Sequence, residues 1–243
     1  MADRFAGRRV AVVGAAGGIG AAVAASLHRQ GAVVYGLDRS GLDGLTDGVE
    51  GFEVDLTSER SVVEIVERLY AGDPRPIDLV NSAGIVENDV AAEDMPLELF
   101  DAVMAVNLRG VFLTCREFGR RLLDGEGGAI VNIASMSGNA VVNVPQRQSV
   151  YNTSKAGVSA LTRSLAVEWG ARGVRVNAVS PGYVDTPLNA LKTAMHPGWL
   201  ERTPLGRFAR VEEVAAAVEY LLSDEAAFCS GTELLIDGGY SLV

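Results

Sequence analysis

Short apolar runs alternate with longer amphipathic segments along the whole chain. Seven runs are rich in valine, isoleucine and leucine and have almost no polar interruption, as expected of strands with both faces covered. The strands predicted from them are 10–13, 32–37, 51–54, 77–81, 129–134, 174–179 and 234–236.

Five longer segments between these strands have a helical spacing of apolar residues. The predicted helices are 19–30, 59–71, 97–123, 151–169 and 211–223. Thr57 and Ser58 stand ahead of the second helix as start signals, and Pro96 stands ahead of the third. Regular alternation of this kind predicts an α/β fold, in which a doubly wound parallel sheet carries helices on both faces.

No linker, repeat or low-complexity tract divides the pattern, so we expect a single domain over residues 1–243. The least regular region begins at Pro181, contains three further prolines and ends near Arg210. Because a long irregular segment in a compact domain is usually a functional loop, we predict a substrate lid over about residues 183–210.

The formal net charge of −10 argues against nucleic acid or an anionic membrane as the main partner. The uncharged stretch from Val10 to Leu27 superficially resembles a membrane segment. Its glycines and its change from β-branched to alanine-rich residues indicate a strand, a turn and a helix instead. We therefore expect no membrane segment.

Cysteine and histidine add little chemistry. Cys115 and Cys229 are too few for a disulfide framework and are interpreted as inert thiols in a reduced, cytoplasmic setting. His28 and His196 have no metal-ligand spacing with other residues, so we expect no metal site.

A glycine cluster lies where the first strand meets the first helix. Gly14 permits a tight turn, Gly18 lets the backbone approach a pyrophosphate, and Gly20 allows close packing of the helix. The helix N-terminus would offer unpaired N–H groups to the phosphates. A merely flexible turn could carry the same glycines, but the position at the first β–α junction favours dinucleotide binding.

Asp38 ends the second strand. A carboxylate there accepts hydrogen bonds from ribose hydroxyls and repels a 2′-phosphate, so the predicted cofactor is NAD. The following Arg39 could hold that phosphate, stack on adenine or remain a solvated surface charge.

Tyr151 and Lys155 lie one turn apart on the fourth predicted helix, and Lys192 is the only other lysine in the chain. A tyrosine with its ordinary pKa of about 10 is a poor base at neutral pH. An ammonium at i+4 favours the phenolate, so the pair could take a proton in alcohol oxidation and return it in reduction. The alternative is a half-buried aromatic residue on an amphipathic helix.

The ordered motifs of the chain resemble those of the short-chain dehydrogenase/reductase family over essentially its whole length. They are Gly14-xxx-Gly18-Ile19-Gly20, Asn81-Ser-Ala-Gly84, Asn107, Ser135, Tyr151-xxx-Lys155 and Pro181-Gly182-xxx-Thr186. The resemblance implies a single-domain Rossmann fold with a seven-stranded parallel sheet, an oxidoreductase acting on CH–OH groups, and a homotetramer or homodimer.

The resemblance also implies catalytic roles. Ser135 would bind the substrate oxygen, and Asn107 would hold a water that relays protons past Lys155. Asparagine is a poor residue for the middle of a helix, and a backbone kink housing water would explain it. On its own, Asn107 could equally be an exposed polar residue. Ser135 and Ser137 are both candidates for the catalytic serine, because the loop to Tyr151 is longer than is common in the family. The place of Ser135 at the carboxyl end of a strand favours it, and Ser137 would then be a second substrate contact or a loop cap.

Further cofactor contacts follow only from the resemblance. Asp55 and Leu56 would contact adenine, and the adenosine side would be shaped by Asn81, Ala83 and Gly84. The nicotinamide carboxamide would bind to Val184 and Thr186. The remaining cofactor contacts would be Ile19, Pro181, Gly182, Tyr151 and Lys155. Val13 stands where the family usually has threonine, which removes a hydroxyl that braces the turn.

The loop 135–146 resembles that of polyol dehydrogenases of the galactitol, sorbitol and arabinitol type. Asn143 and Gln146 could each donate to and accept from vicinal hydroxyls, or they could simply tie down the loop. Met195, His196 and Trp199 are candidates to close over the substrate.

The sequence thus predicts an NAD-dependent dehydrogenase that interconverts a polyol and a ketose. One alternative is a reductase of 3-oxoacyl thioesters or other carbonyl compounds, which should prefer NADPH. The acidic chain disfavours the acidic carrier protein that would deliver a thioester. A dinucleotide sensor without turnover is the other alternative, and the presence of all four catalytic residue types disfavours it.

Overall fold

A computed structural model describes residues 4–87, 89–190 and 192–243. Its seven strands are β1 Arg9–Val13, β2 Val33–Asp38, β3 Glu50–Glu53, β4 Ile77–Asn81, β5 Gly128–Ile133, β6 Val174–Pro181 and β7 Glu233–Ile236. They form one sheet in the order β3-β2-β1-β4-β5-β6-β7, and each neighbouring pair is parallel. The predicted seven-stranded parallel sheet is confirmed.

Helices cover both faces of this sheet. They are α1 Gly18–Arg29, α2 Glu59–Tyr70, α3 Leu97–Met104, α4 Val111–Asp124, α5 Met136–Asn139, α6 Ser149–Trp169, α7 Pro187–Ala190, α8 His196–Glu201 and α9 Val211–Leu222. The core beneath α1 and α9 and the core beneath α2, α4 and α6 lie on opposite sides of the strands. Every residue of β1 is buried for this reason.

The predicted helix 97–123 is not one continuous α-helix. A π-helical segment, Ala105–Gly110, separates α3 from α4. The wider turn lies at Asn107, where the sequence predicted an irregularity, and the Asn107 side chain is completely buried. The alternative interpretation of Asn107 as an exposed polar residue is therefore wrong.

The order of the strands opens a crevice at one edge of the sheet. From β1 the chain runs outward to β2 and β3, and it then returns to β4 on the other side of β1. The loops that follow β1 and β4 consequently diverge above the carboxyl ends of these strands. This point of divergence places the glycine turn after β1 opposite the segment that follows β4.

The region 183–210 is folded around an aromatic cluster, with residue 191 outside the described residues. Tyr183 and Trp199 stack with ring centroids 4.1 Å apart, and Phe208 packs against both rings. Trp199 is only 1% exposed, and His196 Nε2 donates to the Asn189 carbonyl, 3.0 Å away. Both residues, which were candidates to close over the substrate, pack within this region and do not line the crevice.

The first turn of α1 tests how tightly the helix packs on the glycine turn. A Cβ atom on Gly20 would overlap the carbonyl oxygen of Gly14, whereas a Cβ on Gly17 would meet no atom within 4 Å. We expect Gly20→Ala to lower the free energy of unfolding by about 2 kcal/mol or more, since backbone must move. Gly17→Ala should change it by less than about 0.5 kcal/mol. Urea unfolding of both variants measures this, and equal stabilities would contradict the close packing.

Candidate active site

The crevice above β1 and β4 is a cleft with about 1330 Å³ of empty space. Its walls come from the glycine turn, the ends of β2 and β3, and the segment after β4. Of the predicted cofactor residues, the cleft is lined by Gly14, Gly18, Ile19, Asp38, Asp55, Leu56, Ala83, Gly84 and Thr186. The structure therefore brings together residues that are far apart in the sequence.

The glycine turn presents backbone to this cleft. Gly14 and Gly18 have positive φ values of 82° and 52°, a conformation that favours glycine. A Cβ on Gly14 would lie 2.5 Å from the Ala83 nitrogen. Gly17 precedes α1 and provides no side-chain cap, so N–H groups of the first turn are left for another partner. A bare backbone surface beside an uncapped helix N-terminus fits a pyrophosphate.

Carboxylates border the far end of the cleft. Asp38 accepts hydrogen bonds from the backbone N–H groups of Ala16, at 3.0 Å, and Arg39, at 2.7 Å. The hydroxyl and N–H of Thr57 bond to Asp55 and lower the pKa of its carboxyl group. The Asp38 acceptor fits the hydroxyl groups of a ribose, and the predicted contact of Asp55 with adenine stays a prediction. Arg39 also lines the cleft.

Asn81 does not reach the cleft. It is 2% exposed, and its amide donates to Asn132 at 2.9 Å and accepts from Thr114 at 2.7 Å. The expected contact with adenosine is therefore corrected: the Asn81 side chain ties β4 to β5 and α4 below the site, and only the following residues face the ligand side.

A second pocket adjoins the cleft and shares Ile19, Ser82, Gly84 and Thr186 with it. Its empty space is about 840 Å³. The predicted residues that line it are Ser135, Ser137, Asn143, Gln146, Tyr151, Lys155, Pro181, Gly182 and Val184. These residues come from the end of β5, the loop before α6, the first turns of α6 and the segment after β6.

Lys155 is buried on α6 and reaches the end of β5. Its ammonium donates to the Ile133 carbonyl at 2.8 Å, and it lies 5.8 Å from the centre of the Tyr151 ring. Burial lowers the pKa of Lys155 to about 8. Most of the molecules therefore carry the positive charge at neutral pH, next to a tyrosine ring.

The groups around Tyr151 shift the pKa of its hydroxyl in opposite directions. Burial raises the pKa of its hydroxyl, the facing Ser135 hydroxyl lowers this pKa, and the charge of Glu87 raises it. Since Lys155 bonds to the Ile133 carbonyl, the expected lowering by Lys155 is not seen in this arrangement. The protonated phenol is the favoured form here, and it can donate a proton.

The geometry separates the roles of the two serines. Ser135 comes directly after Ala134 at the carboxyl end of β5, faces Tyr151, and caps α5 by accepting the Ser137 N–H at 3.3 Å. The two hydroxyl oxygens are 2.8 Å apart. Ser137 therefore braces Ser135 from within the pocket, and Ser135, not Ser137, is the cap.

Asn107 fastens the segment after β4. Its amide oxygen accepts from the Ile85 N–H at 2.8 Å, and its amide nitrogen donates to the Ile85 carbonyl at 2.8 Å and to Ser154 at 3.1 Å. Asn107 makes these bonds from within the π-helical segment. The proton-relaying water expected at Asn107 stays a prediction.

The two amides predicted to contact substrate are both bonded to Tyr183. Asn143 donates to the Tyr183 hydroxyl at 3.1 Å, and this hydroxyl donates to Gln146 at 3.0 Å. Within the described part of the chain, the buried amide oxygen of Asn143 has no hydrogen-bond partner. The amides thus tie down the loop and also line the pocket.

Sequence reasoning missed several residues of the pocket wall. Gln148 is 6% exposed and lines the pocket just before α6, and the half-buried Lys192 of the 183–210 region lines its mouth. Gln148 could have been found from its place one turn before Tyr151. Tyr183 had no recognisable spacing, because the bonds of its hydroxyl group join distant parts of the chain.

The described residues contain no group of three or more histidine, cysteine or acidic side chains arranged to hold a metal ion. Among the helices of residues 4–87, 89–190 and 192–243, none is long and apolar enough to cross a membrane. Both cysteines are free thiols in this structure. Burial raises the pKa of Cys115 to about 12, which keeps this thiol unreactive.

Comparison with known proteins gives relatives that are dehydrogenases or reductases and match nearly the whole chain. A family model described as enoyl-(acyl carrier protein) reductase matches residues 14–241. Galactitol 2-dehydrogenase of Rhizobium johnstonii is 39% identical, covering 98% of this chain and 96% of the relative. D-threitol dehydrogenase of Mycolicibacterium smegmatis is 38% identical, with 98% and 95% covered. A 3-oxoacyl-acyl-carrier-protein reductase of Thermotoga maritima is 36% identical, with 97% and 98% covered.

Solved structures with a similar fold are also dehydrogenases or reductases. A short-chain type dehydrogenase/reductase from Mycobacterium marinum superposes with a TM-score of 0.91 at 38% identity, covering 97% of this chain and 96% of that one. A structure described as an NAD(P)-dependent gluconate 5-dehydrogenase from Beutenbergia cavernae, with NADP at low occupancy, gives 0.88 at 35% identity, with 98% of both chains covered. The chain belongs to the short-chain dehydrogenase/reductase family, whose members are NAD(P)-binding oxidoreductases acting on CH–OH groups.

Proposed function

We propose that the protein is an NAD-dependent dehydrogenase that interconverts a secondary alcohol of a polyol with the corresponding ketone. The observation that carries this proposal is a pocket in which Ser135 and Tyr151 are surrounded by the amides of Asn143, Gln146 and Gln148. Amides both donate and accept hydrogen bonds, which suits a chain of neighbouring hydroxyl groups. Relatives named galactitol 2-dehydrogenase and D-threitol dehydrogenase support the same substrate class.

The nicotinamide cofactor supplies the acceptor for the hydride that leaves the alcohol carbon. The residues of this chain do the remaining work. Ser135 holds the substrate oxygen beside the Tyr151 hydroxyl. The phenol of Tyr151 donates the proton in reduction, and its phenolate form takes the alcohol proton in oxidation. Lys155 keeps a positive charge close to that phenol, and Asn107 keeps the segment after β4 in place through Ile85.

Asp38 supports NAD as the cofactor, because a carboxylate at the end of β2 repels a 2′-phosphate. We further propose a cytoplasmic homotetramer or homodimer. Free cysteines fit a reducing compartment. The exposed apolar side chains of Phe228, Leu235, Leu242 and Val243 lie near the edge strand β7 and could be covered by a second copy.

A second candidate function is the reduction of 3-oxoacyl thioesters with NADPH, which the relative from Thermotoga maritima favours. The two functions differ in cofactor and in substrate size. A pocket lined by amides favours the polyol, while the acidic chain, with a net charge of −10, disfavours docking of an acidic carrier protein.

The test is a panel of polyols, simple secondary alcohols and 3-oxoacyl thioesters, each with NAD(H) and NADP(H), followed by NADH absorbance. Polyols with NAD should give the highest kcat/KM. Tyr151→Phe should reduce kcat by a factor of about 10² or more, because it removes the group that exchanges the proton. The variant should still bind NADH in a fluorescence titration. No activity on any polyol, with good activity on a thioester, would refute the substrate assignment.

Cofactor choice is tested at Asp38. Asp38→Ser should improve kcat/KM for NADP by roughly tenfold or more and weaken use of NAD, because the repulsive charge is lost while Arg39 remains available. Steady-state kinetics with both cofactors measure the ratio. Arg39→Ala is the matched control, and it should not increase the use of NADP. An unchanged ratio in Asp38→Ser would contradict the role of this carboxylate.

Buried Lys155 makes stability depend on pH. Its pKa falls from 10.5 in the unfolded chain to about 8 in the folded protein, so the unfolded chain holds the proton more tightly. The free energy of unfolding should therefore rise with pH between these two values, by up to roughly 3 kcal/mol. Chemical unfolding from neutral pH to about pH 10 measures the slope, which Lys155→Met should lose. An identical slope in both proteins would show that Lys155 is not the group responsible.

A further inference from the structure

Glu87 is a carboxylate that the proposed mechanism does not use. It lies six residues after the end of β4 and is completely buried. One carboxylate oxygen accepts from the N–H groups of Val150 and Tyr151, at 3.0 and 3.1 Å, and the other lies 3.2 Å from the Tyr151 N–H. The contact joins residues 64 positions apart in the sequence.

These N–H groups belong to the first turn of α6, which begins at Ser149. The residue before the helix, Gln148, forms no side-chain cap. A helix leaves its first N–H groups unpaired, and its N-terminus is the positive end of the helix dipole. Glu87 therefore serves as an external cap, and the cap and the buried carboxylate satisfy each other.

A second carboxylate makes a similar connection at the surface. Asp89 accepts from the Arg147 N–H at 2.9 Å and forms an ion pair with the Arg147 guanidinium at 3.0 Å. Both partners are partly exposed, with side-chain exposures of 43% and 58%. The two carboxylates connect the loop after β4 to the start of α6 and the residues just before it, but only Glu87 bonds to the backbone of Tyr151.

The first turn of a helix is where fraying begins, so a reactive residue placed there needs additional support. Tyr151 is the third residue of α6, and its hydroxyl has to face Ser135 and the neighbouring substrate. Small displacements of a reacting group reduce rates strongly. The Glu87 contact fixes the one turn on which the direction of the Tyr151 side chain depends.

We propose that Glu87 is a positioning residue for Tyr151, which acts by capping the first turn of α6 from the loop after β4. The proposal rests on the proposed function, in which Tyr151 exchanges the proton. It adds a residue to the reaction machinery and links the segment that lines the cofactor cleft directly to the tyrosine.

The charge of Glu87 affects the pKa of Tyr151, which a contact that only supports the helix would not do. Tyr151 faces Lys155 on its own helix, Ser135 from the end of β5, and Glu87 from the loop after β4. Of these, the negative charge of Glu87 raises the Tyr151 pKa. Burial lowers the pKa of Lys192, and the charges of Glu87 and Asp89 oppose this lowering.

The experiment compares Glu87→Gln with Asp89→Asn in the full-length protein. Glutamine keeps the shape of the side chain and can still accept one N–H bond, but it removes the charge. We expect kcat for the best alcohol in the panel to fall by roughly tenfold or more in Glu87→Gln. In Asp89→Asn it should stay within about twofold, since the pair is exposed. NADH affinity should be unchanged in both variants.

The pKa of Tyr151 is measured separately, without substrate. NMR titration of protein labelled at the tyrosine ring carbon that bears the hydroxyl gives this pKa, and Tyr151→Phe identifies the resonance. Loss of the negative charge should lower the Tyr151 pKa in Glu87→Gln but not in Glu87→Asp. The acidic limb of the pH profile for alcohol oxidation should move to lower pH in the same variant.

Wild-type kcat and wild-type Tyr151 pKa in Glu87→Gln would overturn the proposal. If Glu87→Gln does not fold, Glu87→Asp decides: its shorter reach should reduce kcat while the Tyr151 pKa is kept, and an unchanged kcat would contradict positioning. Failure of the proposed function is distinguishable, because Tyr151→Phe would then remain active. An inactive Tyr151→Phe together with a wild-type Glu87→Gln would remove only the role of Glu87.

Discussion

All seven strands run in the same direction, and the site depends on this constraint. Parallel strands need crossover helices, so the sheet is covered on both faces and all carboxyl ends of its strands meet at one edge. The order of the strands reverses between β1 and β4, and the loops diverge only there. Gly14, Asp38, Ala83 and Ser135 come from four strand ends, yet they line the cleft and the pocket that adjoins it.

The polar groups buried at this edge are satisfied mainly by backbone. Lys155 donates to a carbonyl where β5 ends, Glu87 accepts from N–H groups where α6 begins, and Asn107 bonds both backbone groups of Ile85. The ends of strands and helices are where backbone groups lack partners within their own element. Charged side chains can therefore be buried here at limited cost, with their pKa values changed by burial.

The sequence predicted what depends on local periodicity and on the resemblance of ordered motifs. The strands were recognisable because burial on both faces makes them continuously apolar, and the glycine turn because positive φ values favour glycine. It did not predict that Asn81 lies below the cleft, or that Trp199 packs inside the 183–210 region. Those placements, like the contact of Glu87 with Tyr151, depend on partners distant in the chain, which periodicity does not report.

Chemistry and specificity are held by different parts of the molecule. Tyr151 and Lys155 stand on a long helix, and Ser135 lies just after a central strand, so their geometry follows from the sheet. The amides of the pocket lie on a loop whose conformation depends on the Tyr183 hydroxyl, and Tyr183 in turn is stacked on Trp199. A substitution in the 183–210 region can therefore alter the pocket through Tyr183 while Tyr151, Lys155 and Ser135 stay in place. The residues on the helix and at the strand end can thus stay constant while the pocket changes to fit different alcohols. For this reason, membership of the family indicates the type of reaction more firmly than it indicates the substrate.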